Sequence, residues 1–164
     1  MIGKLLALDV GLVRIGVATC DPLGLAARPL TVIRRASRRA DFDLLAQLVR
    51  QQEAVAVVCG LPVTIAGGET DHTASIRKWA LRLAQALRTL LGRPIPIIFW
   101  DERLSTFAAQ EILSAQGNAG AEDDAVAAAV ILQSYLDAGR SSKQQDYGRI
   151  ELPPRSMPNQ SLSS

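Results

Sequence analysis

Residues 6–21 read LALDVGLVRIGVATCD. Within the longer run IGKLLALDV (2–10) the apolar residues do not alternate, which predicts a strand covered on both faces. GLVR then forms a turn led by Gly11. IGVATCD returns with Ile15, Val17 and Thr19 alternating. A link this short demands antiparallel neighbours. The anomaly is Asp9, a carboxylate inside an apolar strand. Buried without a partner it is costly or takes up a proton, so a counter-charge is required.

Outward from this hairpin, ARPLTVIRR adds a third strand one tight connection away. A helix is predicted over about 38–53, with Phe42, Leu45 and Val49 on one face. AVAVVCGLP reads as a fully buried strand stopped by Gly60 and Pro62, and VTIAGGETDHT as a loop. Ile76, Trp79, Ala80, Leu83, Leu87 and Leu90 mark a second helix, with Gly92 as its stop. PIPIIFW is a fifth strand. Helices are predicted at about 106–116 and, after a GNAG turn, at about 122–137. The order β-β-β-α-β-α-β-α-α indicates an α/β domain with a five-stranded mixed sheet. Right-handed crossovers give the order 3-2-1-4-5, with the second strand antiparallel and helices on both faces, a ribonuclease-H-like arrangement. The domain is expected over 1–138. Residues 139–164, polar and rich in Pro and Ser, read as a disordered or loosely attached tail.

The 164-residue chain is 48% hydrophobic and 21% charged, an ordinary globular balance. Aromatics make up 4%, so stacked bases are not the main way it would hold nucleic acid. Its net charge is +2, but 15 of the 18 basic residues are Arg, whose fork suits phosphate. Cys20 and Cys59 lie in or beside apolar runs without metal or disulfide spacing, as expected of buried thiols in a reducing compartment. No membrane span or signal pattern is recognised, and a cytoplasmic location is expected.

The acids carry the chemistry. Asp9 sits near the carboxyl end of a central strand, the edge where open α/β sheets collect ligands. Asp101 and Glu102 end the fifth strand. Asp123 and Asp124 open the last helix, and Asp124 shares its face with Ala128, Ile131 and Tyr135. Carboxylates crowded at one edge resist ionising together, and a divalent ion relieves this. Oxygen-only ligands suit Mg²⁺ or Mn²⁺, one or two ions clamping a phosphodiester. The single His72 argues against His-based hydrolysis or a zinc site. Plainer roles compete: Asp9 as a turn cap, Asp101 paired with Arg103, Asp123 and Asp124 favouring a helix N-terminus, Asp21 as a turn residue.

Four blocks, LALDVGLVRIGVATCD, VVCGLPVTIAGG, DERLSTFAAQEIL and DDAVAAAVILQSYLD, resemble in that order the blocks of the YqgF/RuvX family. The likeness runs from about residue 3 to residue 138. It implies a ribonuclease-H fold and a nuclease processing the 5′ end of pre-16S ribosomal RNA, or a Holliday-junction resolvase acting on branched DNA. By position it makes Asp9, Glu102 and Asp124 the catalytic acids, and Asp9, Asp101, Glu102 and Asp124 the metal ligands. Strand alternation lets only one of Asp101 and Glu102 face the metal. Arg14 and Arg103 match basic positions that could hold phosphate or orient the acids. Val13, Cys20 and Ser105 depart from the family's usual residues.

Arg34, Arg35 and Arg38 before the first helix, and Arg77 and Arg82 on the second, could track a phosphate backbone. A sugar-kinase-like ATPase and a non-catalytic RNA-binding assembly module are the rival readings. The first is disfavoured because this chain has room for only one of the two domains such enzymes need. Trp79, Leu83 and Leu87 could serve a homodimer, although core packing explains them more simply.

Overall fold

The computed structural model describes residues 3–64, 66–102, 123–140 and 147–155. Arg103, the helix expected at 106–116 and the GNAG turn lie outside them. The strands are β1 (Lys4–Val10), β2 (Arg14–Cys20), β3 (Ala27–Arg34), β4 (Ala54–Leu61), β5 (Ile97–Asp101) and β6 (Arg149–Ile150). The helices are α1 (Arg38–Gln52), α2 (Asp71–Leu91) and α3 (Asp123–Arg140).

One mixed sheet has the order β3-β2-β1-β4-β5-β6. The hairpin pairs β1 with β2 antiparallel, with Asp9 opposite Gly16. β4 lies parallel to β1, and β5 parallel to β4. This is the expected order with one strand added. The addition comes from the segment expected to be loosely attached: Ile97 and Ile98 pair with Ile150 and Arg149. Tyr147 and Leu152 pack on the core beside it.

Strand alternation divides the core into two layers. Leu6, Leu8, Val10, Val57, Cys59, Ile97 and Phe99 face α1 and α2, where Phe42, Trp79, Leu83 and Leu87 meet them. Trp79, Leu83 and Leu87 are therefore spent on the core. Leu5, Ala7, Val58, Ile98 and Trp100 face α3, where Ala128, Ile131, Leu132 and Tyr135 cover them. Each fully buried Leu or Ile contributes about 1.5–3 kcal/mol, so both layers hold the sheet edge rigid. Trp100 Nε1 donates to Ser134 Oγ at 3.1 Å, and Gln133 Oε1 accepts from the Ala27 amide at 2.8 Å. These bonds set α3 squarely across β3, β2 and β1.

α1 starts where Ser37 accepts from the Ala40 amide, and it ends at Glu53 in the left-handed region, φ 52°. α2 begins earlier than the apolar spacing suggests. Thr70 and Thr73 form a reciprocal capping box, so Asp71 and His72 are in the first turn of the helix. Asp21 accepts from the amides of Leu23, Leu25 and Ala26, which hold its carboxyl below the usual range. It is a turn residue.

Candidate functional site

Asp9 alternates with Leu8 and Val10 and so shares the α3 face with Ala7. On β5 the same parity sends Asp101 toward the α2 side with Phe99. Glu102, one residue beyond, falls on the α3 side with Trp100. Asp9 and Glu102 are joined by a side-chain hydrogen bond. Asp101 is fully buried elsewhere, and its Oδ2 accepts from Tyr147 Oη at 3.3 Å. Of the two adjacent acids, Glu102 is the one beside Asp9.

Glycines clear the floor on which these acids meet. Opposite Asp9, Gly16 lies directly under the first turn of α3. A Cβ there would overlap the Asp124 carbonyl oxygen. On the other flank, Gly60 follows Cys59, the partner of Leu8. A Cβ at Gly60 would stand 2.7 Å from Ile131 Cδ1 and 3.2 Å from Glu102 Oε1. Bare backbone on both neighbouring strands thus lets a helix terminus and a carboxyl approach the strand that bears Asp9. The residue types alone gave no hint of this. The signal was available in the register, which puts both glycines beside the buried acid.

The electrostatics follow from this crowding. Burial raises the Asp9 carboxyl, and the nearby Asp124 charge adds to that, while the bond from Glu102 opposes it. Glu102 is pushed up to about 7 by burial first, then by the Asp9 charge, by its hydrogen bond to Asp9 and by the Asp101 charge. Both carboxyls are raised, so the pair holds on to a proton that an isolated carboxyl would release. Cys59, beneath them, is raised to about 12 by burial and by the Glu102 and Asp9 charges, and is an inert thiol.

Asp124 is brought to the same face but engaged differently. Arg14 Nε donates to its Oδ2 at 2.8 Å. Among the described residues no three acids, cysteines or histidines form a ready metal-holding group. What exists is a proton-sharing carboxyl pair with a third acid held by a guanidinium. The donor set nevertheless fits a hard divalent ion: every ligand offered is oxygen, and a divalent charge would relieve the burial and repulsion that raise Asp9 and Glu102.

The remaining candidates divide. Arg77 is committed to structure, donating to both Glu69 oxygens at 2.7 and 2.6 Å and to the Tyr147 carbonyl at 2.9 Å. Its guanidinium also lies 4.8 Å from the Phe99 ring centroid. Arg34 is exposed at the end of β3. Arg35, Arg38 and Arg82 line one cavity on the α2 side of the same sheet edge. Arg103 lies outside the described residues.

A family model described as "RuvX: Holliday junction resolvase" matches residues 3–138. A protein of Syntrophus aciditrophicus, named as a candidate pre-16S rRNA nuclease, is 43% identical over 139 residues, covering 82% of this chain and 89% of its own. A protein of the same name from Mycobacterium leprae is 42% identical over 144 residues, covering 85% of this chain and 76% of its own. Thermus thermophilus RuvC, solved in complex with a Holliday junction substrate, superposes with a TM-score of 0.64 at 14% identity, covering 88% of this chain and 99% of that one. At that identity the likeness speaks for the fold, which is ribonuclease-H-like. With the family match reaching from β1 into α3, and with relatives above 40% identity along most of its length, this chain belongs to the RuvX family.

Proposed function

We propose that the chain is a divalent-metal-dependent nuclease that trims the 5′ end of precursor 16S ribosomal RNA in the cytoplasm. The observation that carries this reading is the Asp9–Glu102 pair. Two carboxyls are held together at the carboxyl edge of the sheet, on the face where α3 delivers Asp124. Asp9, Glu102 and Asp124 would hold one or two Mg²⁺ or Mn²⁺ ions. When bound, such ions supply positive charge to the phosphate oxygens and lower the pKa of an attacking water.

The chain's own residues do the rest. Asp9 is rigid because β1 is central and buried on both sides. Glu102 can release its proton near neutral pH, making the second carboxylate available under physiological conditions. Arg14 keeps Asp124 oriented over the hairpin. The names of the relatives favour ribosomal RNA as substrate, and the family description favours branched DNA as the second reading.

The test is cleavage of a precursor spanning the 5′ end of 16S RNA, beside a four-way DNA junction, with Mg²⁺ or Mn²⁺. Wild type should cut the RNA at a defined position, and Asp9→Asn should lose at least about two orders of magnitude in rate, as expected when charge stabilisation of a phosphoryl transition state is removed. Equal rates in the two proteins would overturn the assignment. Preference for the junction would transfer it to branched DNA.

A further inference from the structure

A second site lies on the opposite face of the same sheet edge. A cavity of about 230 Å³ opens between the β1–β2 turn, the start of α1 and the first half of α2. Val10, immediately after Asp9, forms part of its wall, with Gly11 and Leu12 of the β1–β2 turn beside it. Four basic side chains line it: Arg35, Arg38, Lys78 and Arg82. No carboxylate is among the described residues that line it.

Two features distinguish the cavity from a merely solvated basic surface. Arg35 is anchored, with Nη1 donating to the Gly11 carbonyl at 2.7 Å and its guanidinium 5.9 Å from the Trp79 ring centroid. Trp79 also lines the cavity. It is 7% exposed, and its indole Nε1 is buried without a hydrogen-bond acceptor. A buried N–H donor is expected to have a partner. The other tryptophan obeys this rule by donating to Ser134. The exposed Leu12, at 85%, stands at the rim and offers apolar surface to a base.

We propose that this cavity receives a phosphate group of the substrate strand, held by Arg35, Arg38, Lys78 and Arg82 beside the Trp79 ring. The strand then bends over the β1–β2 turn, with one phosphate anchored here and a neighbouring stretch laid across Asp9 and Glu102. This rests on the chain being a nucleic-acid enzyme, but it concerns binding and not cleavage. The same chemistry is offered by a terminal phosphate and by a backbone phosphodiester.

The test uses the full ¹⁵N-labelled chain in EDTA, so that no metal-dependent step enters. It is titrated at low salt with a short single-stranded RNA bearing a 5′-phosphate, and with the same RNA bearing a 5′-hydroxyl. The Trp79 indole resonance, assigned from Trp79→Phe, should move on binding, while that of Trp100, already bonded to Ser134, serves as the internal reference. The double variant Arg38→Ala/Arg82→Ala should weaken binding about tenfold or more and lower the salt slope by about two. Arg39→Ala/Arg93→Ala removes equal charge outside the cavity and should cost less than about twofold by the same reasoning. Tighter binding of the 5′-phosphate form identifies a terminal phosphate, and equal binding a backbone one.

An unmoved Trp79 signal, equal losses in the two double variants, or no RNA binding at low salt would each overturn the proposal. RNA affinity measured in EDTA decides the cavity, and Mg²⁺-dependent cleavage by Asp9→Asn beside wild type decides the nuclease reading, so the two fail separately.

Discussion

Gly16 and Asp124, 108 positions apart in sequence, touch through bare backbone: the Asp124 carbonyl occupies the space where a Gly16 side chain would be. Since Gly16 also pairs with Asp9 across the hairpin, this one contact sets how closely the α3 acid approaches the β1 acid. Gly16→Ala should therefore do two things at once. Overpacking against a backbone atom cannot be relieved by a rotamer change, so stability should fall by about 1–3 kcal/mol. The first turn of α3 must also lift, so Mn²⁺ affinity measured by calorimetry should fall with it. A variant with wild-type melting temperature and wild-type Mn²⁺ uptake would show that α3 does not depend on this contact.

Glu102 gives the metal-free protein a distinct pH dependence. Its carboxyl has the ordinary value of 4.5 when unfolded and about 7 when folded. Between these values the folded state keeps a proton that the unfolded chain has released. The stabilisation from this group is complete below 4.5 and is lost as pH rises toward 7. Glu102→Gln keeps the donor to Asp9 but cannot ionise. In EDTA its melting temperature should therefore gain on wild type as pH moves from about 5 to about 8. A constant offset across that range would mean that Glu102 does not carry the proton.

The Arg14–Asp124 bond is short, but its side chains are 49% and 36% exposed. Such a pair adds at most about 1 kcal/mol, so Arg14→Ala should barely change the melting temperature. Its consequence is electrostatic and local. The guanidinium competes with a cation for the Asp124 carboxylate. Removing it should tighten Mn²⁺ binding while slowing RNA cleavage, because the acid loses the group that orients it. Weaker Mn²⁺ binding in Arg14→Ala would instead make the arginine a support for the metal site.

The hairpin, the crossovers and the two-sided burial of β1 and β4 were legible because strand and helix periods differ and short links leave one pairing open. β6 was not, since two residues, Arg149 and Ile150, in a polar segment carry no period at all. The early start of α2 was hidden because its cap uses Thr73 where the common capping-box pattern has Glu or Gln. Asp9 announced itself by being an acid in an apolar strand, and alternation put Asp101 and Glu102 on opposite faces of the sheet. The basic cavity could not be read in advance. Arg35 and Arg82 are distant in sequence, and Trp79 carries an ordinary core spacing that conceals its unpartnered N–H.

That alternation can be tested directly. Asp101 lies on the α2 side, bonded to Tyr147, and Glu102 lies on the α3 side, bonded to Asp9. If only the α3 face holds metal, Asp101→Asn should retain Mn²⁺ affinity and RNA cleavage within a few-fold. Its effect should be on stability, at about 1–3 kcal/mol for a disturbed buried hydrogen bond. Glu102→Gln should show the reverse: a folded protein at least as stable as wild type at neutral pH, with Mn²⁺ affinity reduced by about tenfold or more through loss of a charged oxygen ligand. Binding isotherms for the two variants, taken beside their melting curves, decide the matter. Loss of metal affinity in Asp101→Asn with retention in Glu102→Gln would place the metal on the wrong side of β5 and dissolve the site built around Asp9.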